Sequence, residues 1–124
     1  MQIGFLVIRA SGAESAHSVD LPAVKDDPKA TKTWPIVRAE VCKVIGVDND
    51  PEHVRVWHQG RYLDMFVDET GALEGLPVNE RATAIYHANV LEHDPDGPDA
   101  QEIRNGDAPM IYGDAVLFLE PVWR

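Results

Sequence analysis

The stretch His53-Val54-Arg55-Val56-Trp57-His58-Gln59-Gly60-Arg61-Tyr62-Leu63-Asp64-Met65-Phe66-Val67 decides the fold class. Two runs rich in β-branched and aromatic residues flank Gln59-Gly60, and a two-residue, Gly-containing connection between such runs predicts a tight antiparallel hairpin. Side chains alternate across a strand, so Val54, Val56 and His58 fall on one side and Arg55 and Trp57 on the other. An antiparallel pair excludes a purely parallel, doubly wound sheet.

On the N-terminal side, Asp48-Asn49-Asp50-Pro51 reads as a turn, because short polar side chains bond their own backbone and Pro fixes φ. A helix precedes it. Thr33 or Trp34 can cap its start, Pro35 suits the first turn and Gly46 the stop. Trp34, Val37, Val41, Val44 and Ile45 then share one face, which is a core face. Residues 10–32 show little periodicity and read as a long loop, with Val19–Val24 laid against a sheet edge. Ile3–Ile8 is a compact apolar run closed by Arg9 and Ser11-Gly12, the pattern of a buried strand.

On the C-terminal side, Asp68-Glu69-Thr70-Gly71 predicts a turn leading to a short strand at Ala72–Leu73. Asn79 is a good cap for a second helix, with Glu80 where the helix dipole favours an acid. Ala82, Ile85, Tyr86 and Asn89 share a face. Residues 92–109 read as an acidic loop rich in Pro and Gly. Ile111–Leu119, interrupted by Gly113-Asp114, ends the pattern as one or two strands, and the unbroken apolar run Ala115–Leu119 suits a central one. The order of strand, helix, hairpin, helix and strand predicts an α+β fold: a small mixed or mainly antiparallel sheet with two helices packed on it. At 124 residues, the chain 1–124 is a single domain.

Charge is unevenly spread. The net −10 arises wholly from residues 63–124, which hold thirteen acids against Arg81, Arg104 and Arg124 and no lysine; residues 1–62 balance. Phosphate backbones and anionic lipid attract clustered Lys and Arg, so this balance argues against direct nucleic-acid or membrane binding. The acidity is read either as a solubility or high-salt trait, or as a face that meets a basic protein. Cys42 is the only cysteine, which excludes an intrachain disulfide, and within the first helix it reads as a small apolar filler in a reducing compartment. No 18-residue apolar span exists, and the N-terminal run lacks the positive start of a signal peptide, so a cytoplasmic location is expected.

The segment Gly71-Ala72-Leu73-Glu74-Gly75-Leu76-Pro77-Val78-Asn79-Glu80-Arg81-Ala82-Thr83-Ala84-Ile85-Tyr86, followed by Ile111-Tyr112-Gly113-Asp114-Ala115-Val116-Leu117, resembles the bacterial and phage domain-of-unknown-function family numbered 3846. That resemblance implies a mobile-element or accessory context and no particular reaction.

Within those segments Asn79, Arg81, Thr83 and Asp114 are the polar candidates. They read either as a ligand site, in which helix N–H groups and Arg81 hold a small anion, or as a structural lock in which Arg81 pairs with Asp114 or Glu80. No glycine-rich phosphate loop precedes that helix. His17, His53, His58, His87 and His93 form no metal-binding spacing, and Glu92–Ile103 departs from a calcium loop at its twelfth position, so no metal or cofactor is expected. No nucleophile motif is present. Trp57 is the tryptophan best placed to anchor a partner. The leading expectation is a non-enzymatic interaction protein that engages a basic, nucleic-acid-handling protein partner through Trp57, Glu92, Asp94, Asp96, Asp99, Glu102 and Asp107. The alternative is a ligand-binding or enzymatic domain with its pocket at Asn79, Arg81, Thr83 and Asp114.

Overall fold

The computed structural model describes residues 1–46 and 51–123. The turn expected at Asp48–Asp50 lies outside them. The hairpin forms as read, with β3 (Pro51–His58) paired to β4 (Arg61–Asp68) from Pro51↔Asp68 to His58↔Arg61. Gln59 and Gly60 both take positive φ, 51° and 83°, as a two-residue turn needs to match the right-handed strand twist.

The first strand, β1 (Gln2–Ile8), pairs antiparallel with β2 (Glu14–Asp20) and with the last strand, β5 (Ala115–Phe118). β5 also pairs antiparallel with β4, giving the order β2-β1-β5-β4-β3. The central place inferred for the Ala115 run is the observed one, and all four of its residues are buried. β2 corrects the loop reading of residues 10–32. Its sequence, ESAHSVD, is polar because it is an edge strand whose side chains are mostly exposed, so no alternation of apolar residues marks it.

Helix α1 (Thr33–Ile45) covers one face of the sheet, where Val37, Val41 and Ile45 pack on Ile3, Phe5, Val7, Phe66, Val116 and Phe118. Helix α2 (Glu80–His93) covers the other, where Ala82 and Ile85 meet Ile8, Val56, Leu63, Met65, Val67, Ala115 and Leu117. The molecule is thus an α+β fold with a five-stranded antiparallel sheet between helical layers. A sheet covered on both faces explains why β5 is apolar at every position, where a one-sided antiparallel strand would alternate.

Two further expectations are corrected. Ala72–Leu73 is not a strand: residues 69–75 form successive turns with Gly75 N–H bonded to Ala72 C=O, and Leu73 is 90% exposed. The acidic 92–109 loop contains a third helix, α3 (Pro98–Asn105), with Pro in its first turn and Gly106 left-handed at its end (φ 77°). Only Ala100 of α3 is buried, and Ala100 and Ile103 are its only aliphatic residues besides Pro98, so no apolar run marks it in the sequence. None of the helices is long and apolar enough to cross a membrane among the described residues.

Candidate functional site

At the start of α2 the four motif residues are spent on the fold. Asn79 is fully buried. Its Oδ1 accepts the Ala82 N–H at 3.0 Å, capping the helix, while its Nδ2 donates to the carbonyls of Ile8 (2.8 Å) and Gly113 (2.9 Å). Thr83 Oγ1 accepts the Ile111 N–H at 2.9 Å, Asn79 N–H donates to Ile111 C=O, and Gly113 N–H donates to Pro77 C=O. The start of α2 and the approach to β5 therefore hold each other, which accounts for Asn79 and Thr83 as structural residues.

The expected Arg81–Asp114 pair is corrected. Asp114 binds Arg9 Nη1 at 2.9 Å and accepts the Ala10 N–H, whereas Arg81 Nε donates to Glu14 of β2 at 3.1 Å. Arg81 thereby ties α2 to the edge strand and not to the last strand. The same guanidinium, after burial, lowers the pKa of half-buried His58 below its ordinary value, with Glu14 opposing.

The acidic candidates lie elsewhere. Glu92 ends α2, Asp94 and Asp96 lie in the turn after it, Asp99 and Glu102 lie on α3 and Asp107 follows it; all six are exposed. None forms an ion pair among the described residues. Other acids do: Glu14 with Arg81, Asp20 with the N-terminus, Glu40 with Lys43 and Asp114 with Arg9. Between Glu92 and Asp94, His93 reaches the hairpin and stacks on Tyr62 (4.9 Å, 22°), accepting or donating through Nδ1 to the Tyr62 hydroxyl at 3.1 Å. Trp57 meets both rings edge-on, at 5.0 Å from Tyr62 and 5.2 Å from His93, and Arg55 lies over the Tyr62 ring at 4.1 Å. Trp57 is consequently half-buried, supported by neighbours where an exposed position had been expected. Asn89 closes the edge of β3 beneath this cluster. Its Oδ1 accepts the Trp57 N–H, and its Nδ2 donates to Arg55 C=O.

Sequence reasoning missed a second group, centred on Asp64. This β4 carboxylate is 5% exposed. Oδ2 accepts the N–H groups of Val122 (2.7 Å) and Trp123 (2.9 Å), and Oδ1 takes His53 Nε2 at 2.6 Å. A carboxylate only accepts, so the His53 proton sits on Nε2. His53 in turn stacks on Trp123 (4.7 Å, 13°), which meets Trp34 at right angles (5.0 Å, 89°). Trp123 is nonetheless 51% exposed. The available signal was a lone Asp in the core-forming run Leu63–Val67, a position that demands partners for burial.

A second buried acid shapes the same region. Asp27 accepts the N–H groups of Lys32 and Thr33 and the hydroxyls of Thr31 and Thr33. It caps α1 from six residues upstream, which corrects the expectation that Thr33 or Trp34 would do so. Burial raises its pKa, but the bonds from Thr33, Thr31 and Lys32 outweigh that and hold it below the ordinary 3.8. Between the turn that Asp27 fixes and the segment that Asp64 fixes lies a cleft of about 380 Å³, lined mostly by apolar groups of Trp34, Pro35, Val122 and Trp123.

Among the described residues no three His, Cys, Asp or Glu side chains come together as a metal-binding group. Comparison of the chain with family models, curated proteins and solved structures finds no match to any of them.

Proposed function

We propose that the protein is a small non-enzymatic interaction module, of the accessory type that the family resemblance suggests, which docks a basic protein through the end of the molecule where α2 meets α3. The observation that carries this reading is the contiguity of two features. A supported aromatic cluster, Trp57–Tyr62–His93, has Glu92 and Asp94 on either side of its histidine, and the chain that follows carries Asp96, Asp99, Glu102 and Asp107; all six are exposed and form no ion pair among the described residues. Aromatic anchors inside a polar rim are the usual anatomy of a protein contact, and unpaired rim charges steer a partner of opposite sign. A nucleic-acid-handling protein has a surface of that sign.

The alternative ligand pocket at Asn79, Arg81, Thr83 and Asp114 gains no support, since the polar atoms of Asn79 and Thr83 and the charges of Arg81 and Asp114 are engaged within the fold.

The test is affinity capture from a lysate of the source cell at low and moderate ionic strength, followed by titration of the captured protein. Replacing Glu92, Asp94, Asp96, Asp99, Glu102 and Asp107 by Gln or Asn should weaken low-salt binding about tenfold or more and remove its salt dependence. Trp57→Ala should weaken it at every salt concentration. Binding that ignores both changes would remove the reading.

A further inference from the structure

The cleft on the α1 face is walled by three segments, one of them distant in sequence from the other two. Lys29 and Ala30 line it from the turn before α1, Trp34 and Pro35 from α1 itself, and Val122 and Trp123 from the segment after β5. Trp123 leaves half its surface in water, yet it is fixed: its own N–H and that of Val122 bond Asp64, and its ring stacks on a His53 that Asp64 orients. The opposite wall is fixed by Asp27. Between them Ala30 is held at φ 58°, a left-handed conformation that a residue with a Cβ adopts reluctantly. Two buried carboxylates and a strained alanine thus hold open a cleft lined by two perpendicular indoles, and its volume of about 380 Å³ falls in the range of small-molecule pockets. Among the described residues, the one charged side chain lining it is that of Lys29, exposed and in no ion pair with any of them.

We infer that this cleft binds a small aromatic acid, its ring set against Trp34 and Trp123 and its carboxylate directed to Lys29. Indole walls favour an aromatic guest through offset or edge-on contacts, and a pre-positioned wall spares the ordering cost that a mobile side chain would carry. The Lys29 ammonium sets the preferred sign. Thr31 also lines the cleft, and its hydroxyl donates to Asp27. The inference is independent of the acidic docking surface.

The experiment titrates the full chain with naphthoate, naphthylmethanol and naphthylmethylammonium, three probes sharing one ring system and differing in charge. The indole N–H resonances of Trp34, Trp57 and Trp123 report on each. Naphthoate should move Trp34 and Trp123, leave Trp57 in place and bind about tenfold tighter than the ammonium probe, the scale expected when one exposed ion pair is replaced by repulsion. Lys29→Gln should bring the three affinities together with the spectrum otherwise unchanged. Trp123→Ala should abolish the response at Trp34; its main-chain bonds to Asp64 do not involve the side chain, so the clamp persists. No movement at Trp34 and Trp123, parallel movement of Trp57, or equal affinity for the ammonium probe would each overturn the inference.

Discussion

Asp64 and Asn79 are buried side chains that each join segments far apart in the chain. Asp64 joins β3, β4 and the segment after β5; truncation to Ala leaves the Val122 N–H buried without an acceptor and frees His53. We expect Asp64→Ala to cost about 3 kcal/mol in a urea titration, and Asp64→Asn less, because one oxygen remains to accept. Asn79 joins β1, α2 and the approach to β5. Asn79→Ala should cost about 3 kcal/mol through the lost cap and two orphaned carbonyls. Asn79→Asp keeps the cap oxygen but turns a negative charge on those same carbonyls, so it should be no milder. A ligand-binding role alone would leave the urea midpoint unmoved.

Two titrating groups contribute to the acid limb of stability. Both His58 and Asp27 have folded-state values below their ordinary ones of 6.5 and 3.8, so both are favoured when deprotonated. Their contributions are complete above the unfolded values and are lost as pH falls. Stability should therefore decline in two steps, first on acidifying below about pH 6.5 and again below about 3.8. His58→Gln should remove the first step and leave the second, as read by thermal unfolding across pH.

Among the elements, those whose signal is local were legible and those made by pairing were not. Gln59-Gly60 announced the hairpin, the unbroken apolar run announced β5, and Asn79 announced α2. By contrast β2 exists because β1 offers it a ladder from Ile8↔Glu14 to Gln2↔Asp20, and nothing in Glu14–Asp20 alone favours a strand. α3 was framed by Gly97-Pro98 and Gly106, signals present but outweighed by its acidity. The cap of α1 came from Asp27, too far upstream for any local rule, and the His53–Asp64–Trp123 group required knowing that the chain returns after β5. The hairpin turn invites a direct test. Asn tolerates the left-handed conformation at position 59 better than Gln, so Gln59→Asn should raise stability by about 0.5 kcal/mol, measured as a higher urea midpoint with unchanged slope.

At the scale of the molecule, charge and topology act separately. The acids of the α2–α3 end take part in no ion pair among the described residues, so replacing all six by their amides should leave the melting temperature unchanged at moderate salt and raise it slightly at low salt, where their mutual repulsion is least screened. A marked loss of stability would show that they support the fold.

The place of β5 has a consequence for how the chain comes into being. As the polypeptide leaves the ribosome, β1–β2 and β3–β4 can each close as hairpins, but they have no edge in common until residues 115–118 emerge and slide between β1 and β4. Until then the chain carries two half-sheets, each offering an unpaired edge and an uncovered apolar face to whatever lies nearby. Commitment to the native state is postponed until β5 is free to pair, and closure over more than a hundred residues between β1 and β5 makes that step slow. A ribosome stalled before residue 115 should hold a protease-sensitive chain, and one stalled with β5 clear of the exit tunnel a resistant one.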